Sequence, residues 1–567
     1  MQAAVVTGGG GGIGTAVALE LARQGIAVVA MDPGVGLQGE PLHEPTAAQT
    51  ARLIAAEGGV ARASAASVTD REAVRELFCE VAREFGGLDI VVNTAGIVRF
   101  APFLEASQDD WQAMLDVHLN GYLNVLAEAL PLMAAAGHGR VVGVTSGAGL
   151  ARAAADSAHY ACAKRAVAAV TWQLAGLLPD GLALNALSPL AATRMVTGGR
   201  DRAASAAASG RADGARGAAG GGAAGVDLSA MPAAADMAPA AAYLAGGAPI
   251  RGQIIFSAGP ELSVISPPRL LEAVRTADTA DFAASLDTLV PVVFGPAQAQ
   301  QRPTGGSNAR FGPVFDSPST SRSSPSGTDV RNCLVIADDA AMAGALGGAL
   351  ARCGLTAVTI RPGQSPDFIE AERAMVRAAA AGPIEAVVIA PGSFDASGYP
   401  SATGSSPTAA ATWQEMLDGY SGTAEAVLSH VGWLQAAVRQ AMRTSRPLRV
   451  MHLADATSPP RRPAAQAVAQ LARCAGLLRP GQVDVFSIAV ETAGQADRQP
   501  LAHLVAHVLW SGGATALRGA ELVARPGWIG IRSHPGPTAT ACYGTPAIPP
   551  WIGDWLANVC PRDAIVL

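Results

Sequence analysis

The sequence predicts an α/β protein made of two tandem doubly wound parallel-sheet domains. Three observations carry that prediction. Short apolar runs alternate with helical patterns from the first residues onward, the spacing of a parallel sheet with helical crossovers. A glycine run stands between the first strand and the first helix. After residue 330 the opening pattern returns in weakened form, and Trp413-Gln-Glu-Met-Leu-Asp418 repeats Trp111-Gln-Ala-Met-Leu-Asp116 at five of six positions.

The elements follow in order. Ala3–Thr7 reads as a strand, Gly8–Gly14 as a loop, and Ala16, Val17, Leu19, Leu21 and Ala22 as one face of a helix ending at Gly25. A second strand, Ile26–Met31, stops at Asp32. Strands at 88–92, 140–145 and 181–187 alternate with helices near 109–135 and 160–178. Residues 198–225 are low-complexity Gly, Ala, Ser and Arg, too poor in large apolar groups to order independently. Residues 296–329 are rich in Pro, Ser and Gly and read as a linker. In the second copy, Leu334–Ala337 resembles the first strand, Ala386–Ile389 resembles 90–93, and Arg449–Leu453 stands where Arg140–Val144 stood. The expected division is 1–266 with a lid at 196–226, an extension and linker at 267–330, and a second domain at 331–567.

Composition narrows the function classes. The 567 residues suffice for two to four domains. Only 15% are charged, with 64 Gly and 38 Pro, which excludes a coiled coil or a charge-driven disordered chain. A net charge of −6 argues against nucleic acid as partner. No apolar run reaches the ~18–20 residues of a membrane span. Seven scattered cysteines without a C-x-x-C pair read as free thiols, and Met1 leads directly into a strand with no room for a signal peptide, so a cytoplasmic protein is expected. No metal site is expected: His503 and His507 are four apart, but no Glu follows His503 and no third ligand is evident.

The glycine run gives the first chemical signal. Glycines admit a pyrophosphate to the backbone, and the helix start supplies N–H donors and partial positive charge. Asp32 closes the second strand, where a carboxylate accepts ribose hydroxyls and repels a 2′-phosphate. No Arg follows before Arg52, so NAD is favoured over NADP. The second signal is Tyr160-Ala-Cys-Ala-Lys164, which places Tyr and Lys on one helix face. A phenol of pKa near 10 is a poor base at neutral pH, and an adjacent ammonium makes it a usable acid/base. Of 40 basic residues, Lys164 is the sole lysine. A chain that uses Arg elsewhere keeps Lys where a compact ammonium is needed.

With these residues placed, the first ~265 residues resemble a classical short-chain dehydrogenase/reductase, a family of the Rossmann type. Thr7-Gly8-x-x-x-Gly12-Ile13-Gly14 resembles its TGxxxGIG, and Asn93-Thr94-Ala95-Gly96 resembles NNAG with one change. The resemblance implies a catalytic tetrad of Asn120, Ser146, Tyr160 and Lys164, with Asn120 anchoring a water that leads to Lys164. It implies cofactor contacts from Gly8, Gly12, Ile13, Gly14, Asp32, Val68, Asn93, Ala95, Gly96, Tyr160, Lys164, Pro189 and Thr193. Ser67-Val68 replaces the usual acidic-Val pair, and Pro189-Leu190 replaces Pro-Gly. These departures, with Asp32-Pro-Gly-Val-Gly-Leu-Gln-Gly39, are similar to the (3R)-hydroxyacyl-CoA dehydrogenase part of multifunctional enzyme type 2.

The second copy lacks the chemistry in this reading. Ala337-Asp338-Asp339 stands at the glycine loop, Ile389 at Asn93, a residue near Asp455 at Ser146, and no Lys follows 164. The expected activity is NAD-dependent interconversion of a secondary alcohol and a ketone, with a 3-hydroxyacyl-CoA or steroid-type small molecule as the substrate class. The alternatives are a 3-oxoacyl-ACP/CoA reductase, or a catalytically silent scaffold built on two dehydrogenase folds. Neither a nucleic acid nor a membrane is an expected partner. A homo-oligomer with an intrachain pseudo-dimer is expected, because a duplicated chain satisfies a two-fold interface within itself.

Overall fold

The structure is a computed structural model that describes all residues except 43–45, 151–152, 154, 193–230, 277–278, 296, 298–327, 363–366, 395–411, 480, 545–546 and 561–567. The expected lid at 196–226 and almost all of the linker at 296–329 lie outside the described residues.

The first half runs β1 (Ala3–Thr7), α1 (Gly12–Arg23), β2 (Ala27–Met31), α2 (Thr46–Ala56), β3 (Ala61–Ser64), α3 (Arg71–Phe85), β4 (Ile90–Asn93), α4 (Gln108–Leu115), α5 (Gly121–Ala136), β5 (Gly139–Val144), α6 (Ala158–Ala175), β6 (Leu182–Pro189), α7 (Ala238–Gly246), β7 (Ile254–Ala258) and β8 (Glu261–Ser266). Then come β9 (Leu270–Arg275) and α8 (Thr279–Leu289). The second half runs β10 (Asn332–Ala337), α9 (Ala340–Arg352), β11 (Thr356–Ile360), α10 (Phe368–Ala381), β12 (Ala386–Ala390), α11 (Trp413–Gly419), α12 (Thr423–Thr444), β13 (Leu448–Asp455), α13 (Arg462–Ala475), β14 (Val483–Val490), α14 (Gln495–Trp510), β15 (Glu521–Arg525), β16 (Trp528–Arg532), β17 (Gly536–Cys542) and α15 (Trp551–Val559).

Two sheets result, in the orders β3-β2-β1-β4-β5-β6-β7-β8-β17 and β11-β10-β12-β13-β14-β15-β16-β9. All neighbours from β3 to β7, and from β11 to β15, are parallel. The doubly wound, tandem character expected from the sequence is therefore the observed one. The central strands β1, β2, β4 and β12 are buried at every position, as a sheet covered on both faces requires.

The two halves exchange edge strands, which the sequence reading did not foresee. β9 follows β8 but pairs antiparallel with β16 of the second sheet, while β17 follows β16 and pairs antiparallel with β8 of the first. The chain segments meet where Ser533 N donates to Arg269 O (2.7 Å) and Arg269 N to Ser533 Oγ (3.1 Å). Residues 270–275, assigned to a connecting extension, thus belong to the second sheet, and 536–542 belong to the first. Period-two patterning identifies a strand but not its partner.

The regular helix expected over 109–135 is a helical run with a π-helical turn at Asp116–Asn120 between α4 and α5. Such turns insert a residue and re-aim the side chains that follow. Helix α6 is buried on all sides, with 16 of its 18 residues buried. The first sheet covers one face and α13 the other. Its Ala-rich surface allows that approach, and side chains of α5 and α6 share one apolar cluster with Trp433, Leu434 and Leu471 of α12 and α13. Among the described residues no helix is long and apolar enough to cross a membrane.

Candidate active site

The site lies at the C-terminal ends of β1, β2, β4, β5 and β6, where an open parallel sheet gathers its loops. The glycine loop leaves β1 in a conformation that only small residues permit. Gly8 has φ +65°, and a Cβ there would lie 2.7 Å from Ala95 Cα; one on Gly14 would lie 2.1 Å from Gly8 O. Gly12 opens α1, and Gly11 caps that helix without any side-chain hydrogen bond; the first turn contains no acidic residue. The helix start therefore faces outward with its donors and dipole. Ile13, behind it, packs on the core.

Asp32 sits where the sequence placed it. Its carboxylate accepts from Gly10 N (3.1 Å) and Gly34 N (2.8 Å), which fixes it beside the glycine loop. Asn93 ends β4 in register with Thr7 and accepts from Thr7 Oγ1 (2.7 Å). Ala95 N donates to Thr7 Oγ1, and Thr94 Oγ1 donates to Thr7 O (2.6 Å). Thr94, the departure from the family's Asn, thus ties the strand to the loop, with Ala95 and Gly96 half-buried beyond it. Val68 is buried against Gly121, at the start of α5. Pro189 closes β6 opposite Ser257. Thr193 lies outside the described residues. Asn185 is buried and ties β6 to the segment before β7, accepting from Gln253 N and donating to Ile250 O, both at 3.0 Å.

Three of the four expected tetrad residues converge. Ser146 follows β5 and stands close enough to Tyr160 to favour its ionised form. Tyr160 lies in the first turn of α6, and Lys164, one turn on, places Nζ 5.8 Å from the Tyr160 ring centre. Lys164 is buried, and Nζ donates to Val144 O (2.7 Å). Burial pushes Lys164 down to about 7. Burial also pushes Tyr160 up, with Ser146 acting in the opposite direction. The lowered phenol expected from the Lys164 charge is thus not seen here, because burial dominates. Asn120 ends the π-helical turn and donates through Nδ2 to Asp116 Oδ1 (2.9 Å).

The sequence reading missed His118. Its ring lies edge-on to Tyr160 at 5.2 Å, and Nε2 is 2.8 Å from Ile97 O. Burial, and then the Lys164 charge, hold it well below its ordinary value, so it is neutral. Its only sequence signal is its position two residues before Asn120. His159 turns away from the site toward Trp111, at 5.8 Å, and burial lowers it to about 4.

A glycine cradle, a strand-end carboxylate and a Ser–Tyr–Lys constellation at one end of a doubly wound sheet define a dinucleotide-dependent oxidoreductase fold. Residues 2–202 match the family described as short chain dehydrogenase. The short-chain reductase protein NovJ of Streptomyces niveus is 35% identical over 255 residues, 43% of this chain and 93% of that one. The hydroxyacyl-CoA dehydrogenase ChsB1 of Mycobacterium tuberculosis is 32% identical over 278 residues, 47% of this chain and 81% of that one. A peroxisomal hydratase-dehydrogenase-epimerase of Neurospora crassa is 35% identical over 198 residues, 34% of this chain and 21% of that one. The chain belongs to the short-chain dehydrogenase family and is an oxidoreductase of CH–OH groups. The resemblance to the dehydrogenase part of multifunctional enzymes is borne out.

Proposed function

We propose that the chain interconverts a secondary alcohol and a ketone with NAD, using Tyr160, Ser146, Lys164 and Asn120. The observation that carries this reading is Lys164 Nζ 5.8 Å from the Tyr160 ring, one helical turn away, with Ser146 beside the same phenol. The fit to a dinucleotide rests on three features of the chain. The Gly8–Gly14 cradle has no room for Cβ atoms at Gly8 and Gly14, the start of α1 has no side-chain cap, and Asp32 is held rigidly beside it. NAD, when bound, supplies the hydride acceptor for oxidation and the donor for reduction.

The chain's own groups handle the proton. Oxidation releases the hydroxyl proton of the substrate, and Tyr160 Oη takes it; in reduction the same atom returns it. Ser146 Oγ, beside that hydroxyl, orients the substrate oxygen. Lys164 Nζ holds the cofactor ribose and, once turned from Val144 O, favours the tyrosinate. Asn120 anchors a water leading to Lys164. Asp32 binds the ribose hydroxyls and repels a 2′-phosphate.

The substrate class proposed is a 3-hydroxyacyl-CoA or steroid-type alcohol, and a relative named as a hydroxyacyl-CoA dehydrogenase supports the first of these. The second half is proposed to hold no dinucleotide. Where α1 has an open start, α9 is capped by Asp339, whose carboxylate accepts from Ala341 N (2.8 Å) and Met342 N (2.9 Å) and pairs with Arg498. Those N–H groups are already used, and a phosphate would meet a carboxylate. Two chains are proposed to pair into a four-domain assembly.

A panel of hydroxyacyl-CoAs, steroids and simple secondary alcohols, followed by NADH absorbance, tests the activity. Turnover with NAD that vanishes in Tyr160→Phe is expected, with one NAD bound per chain by calorimetry. Unchanged turnover in Tyr160→Phe refutes the mechanism, and two NAD per chain refutes the silent second half.

A further inference from the structure

We propose that the second half of the chain sets the geometry of the first half's active site, with Gln470 and Arg473 of α13 as positioning residues for the Ser146 loop. The inference rests on the function proposed above and assigns a role to residues more than 300 positions downstream.

From within the first half, Arg165 Nη1 donates to Leu150 O (3.3 Å) in the loop that carries Ser146. A single 3-10 turn, Gly147–Gly149, follows the serine, and Ser146 Oγ receives Ala148 N at 3.3 Å. Two carbonyls in this loop are met from the other half. Gln470 Nε2 donates to Ala148 O (2.6 Å), and Arg473 Nη1 donates to Leu150 O (2.9 Å). Arg473 Nη1 also donates to Gln470 Oε1 (2.8 Å), so the two donors orient each other. Gln470 and Arg473 are both buried, where a hydrogen bond is directional and its loss is costly. On its other side the loop has no slack: a Cβ on Gly149 would lie 2.5 Å from the backbone carbon of Lys164. The loop is therefore pressed between the helix that carries Tyr160 and Lys164 and a helix of the second half.

A second clamp holds the loop between β4 and α4. Gln435 Nε2, on α12, donates to Phe103 O (2.6 Å) and Ala106 O (3.0 Å), and Arg439 Nη2 donates to Leu104 O (2.6 Å). That loop backs the active-site end of α6, since Phe103 N donates to Ala155 O and Phe103 packs edge-on to Trp111, which packs against His159. Four side chains of the second half thus donate to carbonyls of two loops flanking Tyr160. None of them reaches the reacting atoms; they act through Ser146 and the start of α6.

The test is Gln470→Met in the full-length chain, which keeps length and apolar volume but removes the donor to Ala148. A misplacement of about 1 Å in a catalytic group costs on the order of a hundredfold. We expect kcat to fall ten- to a hundredfold, NAD affinity by calorimetry to stay within twofold, and circular dichroism to be unchanged. The exposed control Arg377→Ala keeps wild-type kcat. Unchanged kcat in Gln470→Met, or a fall matched by an equal loss of NAD binding, overturns the proposal. If Gln470→Met does not fold, Gln435→Met decides by the same split at the second clamp. Failure of the catalytic reading is distinguished by Tyr160→Phe: retained activity there removes the mechanism whatever the Gln470 variant does.

Discussion

Replacing Glu521 by Leu tests the ionic centre of the interface between the halves. Glu521 lies on β15 and receives both oxygens' worth of contact from Arg165 Nη2, at 2.7 and 2.8 Å, with His534 Nδ1 at 3.0 Å. The side chains of Arg165 and Glu521 are 0% and 7% exposed. Burial favours the neutral carboxyl, but Arg165, His534 and Arg473 more than offset it and hold Glu521 down to about 2. Against a starting value of 4.5, that gap corresponds to roughly 3 kcal/mol at neutral pH. The sign follows from the lowered folded value: this stability is fully present above pH 4.5 and is lost as pH falls toward 2. Breaking a buried pair from one side costs a similar ~3–5 kcal/mol, because the partner charge stays behind. Glu521→Leu leaves two buried guanidinium groups, Arg165 and Arg473, without their carboxylate. Arg165→Met leaves Glu521 with His534 and Arg473 still beside it, so its cost is smaller. The double variant is expected to be more stable than Glu521→Leu alone, since it removes one stranded cation. Urea unfolding of all three full-length variants at pH 7.5, followed by tryptophan fluorescence, measures the order. A cost below ~1 kcal/mol for Glu521→Leu, or a larger cost for Arg165→Met, refutes the reasoning.

Three further outcomes are expected. Lys164→Arg lowers kcat about 10²–10⁴-fold, because a planar fork does not replace a compact ammonium beside Tyr160; steady-state turnover that stays within tenfold of wild type counts against it. Asp32→Ala narrows the preference for NAD over NADP by about 10–100-fold, the worth of charge-assisted hydrogen bonds, and an unchanged ratio of kcat/KM values excludes Asp32 as the discriminator. Burial lowers His159 to about 4 and His430 to about 3, so the unfolded chain takes up their protons first: stability falls below pH 6.5, by about 2 kcal/mol per histidine at pH 5, and denaturation midpoints that are flat between pH 7.5 and 5 refute it.

Much of the first half was legible because its chemistry is local in sequence. A glycine run between a strand and a helix, a carboxylate at a strand end, and Tyr and Lys four apart on a helix each define their own surroundings. The repeat of Trp111–Asp116 at Trp413–Asp418 announced the second sheet for the same reason. The strand exchange was not legible, because the alternation in Leu270–Arg275 and Gly536–Cys542 is satisfied by any free edge. His118 was missed because a lone histidine on a helix carries no sign of the ring it meets; the π-helical turn after α4 sets its direction. The lowered Tyr160 was anticipated from charge alone, whereas burial dominates. Gln435, Gln470 and Arg473 gave no signal, since their partners are carbonyls more than 300 residues away.

The two halves show how a duplicated fold divides its labour. In the first, the start of α1 has no side-chain cap, and a serine, a phenol and a buried lysine resting on a carbonyl gather at the sheet end. In the second, the corresponding groups are turned on one another. Asp339 caps α9, Asp455 pairs with Arg461, and Glu491 at the end of β14 pairs with Arg525 and Arg532. Each pairing satisfies a polar group from within the second half. Four of its side chains, Gln435, Arg439, Gln470 and Arg473, donate across the interface to carbonyls of the loops flanking Tyr160. In the arrangement proposed above, α12 and α13 act as rigid supports for those loops, and rigidity there holds Ser146 against Tyr160. The buried Arg165–Glu521 pair and the exchanged strands β9 and β17 hold that support in register with the site it serves.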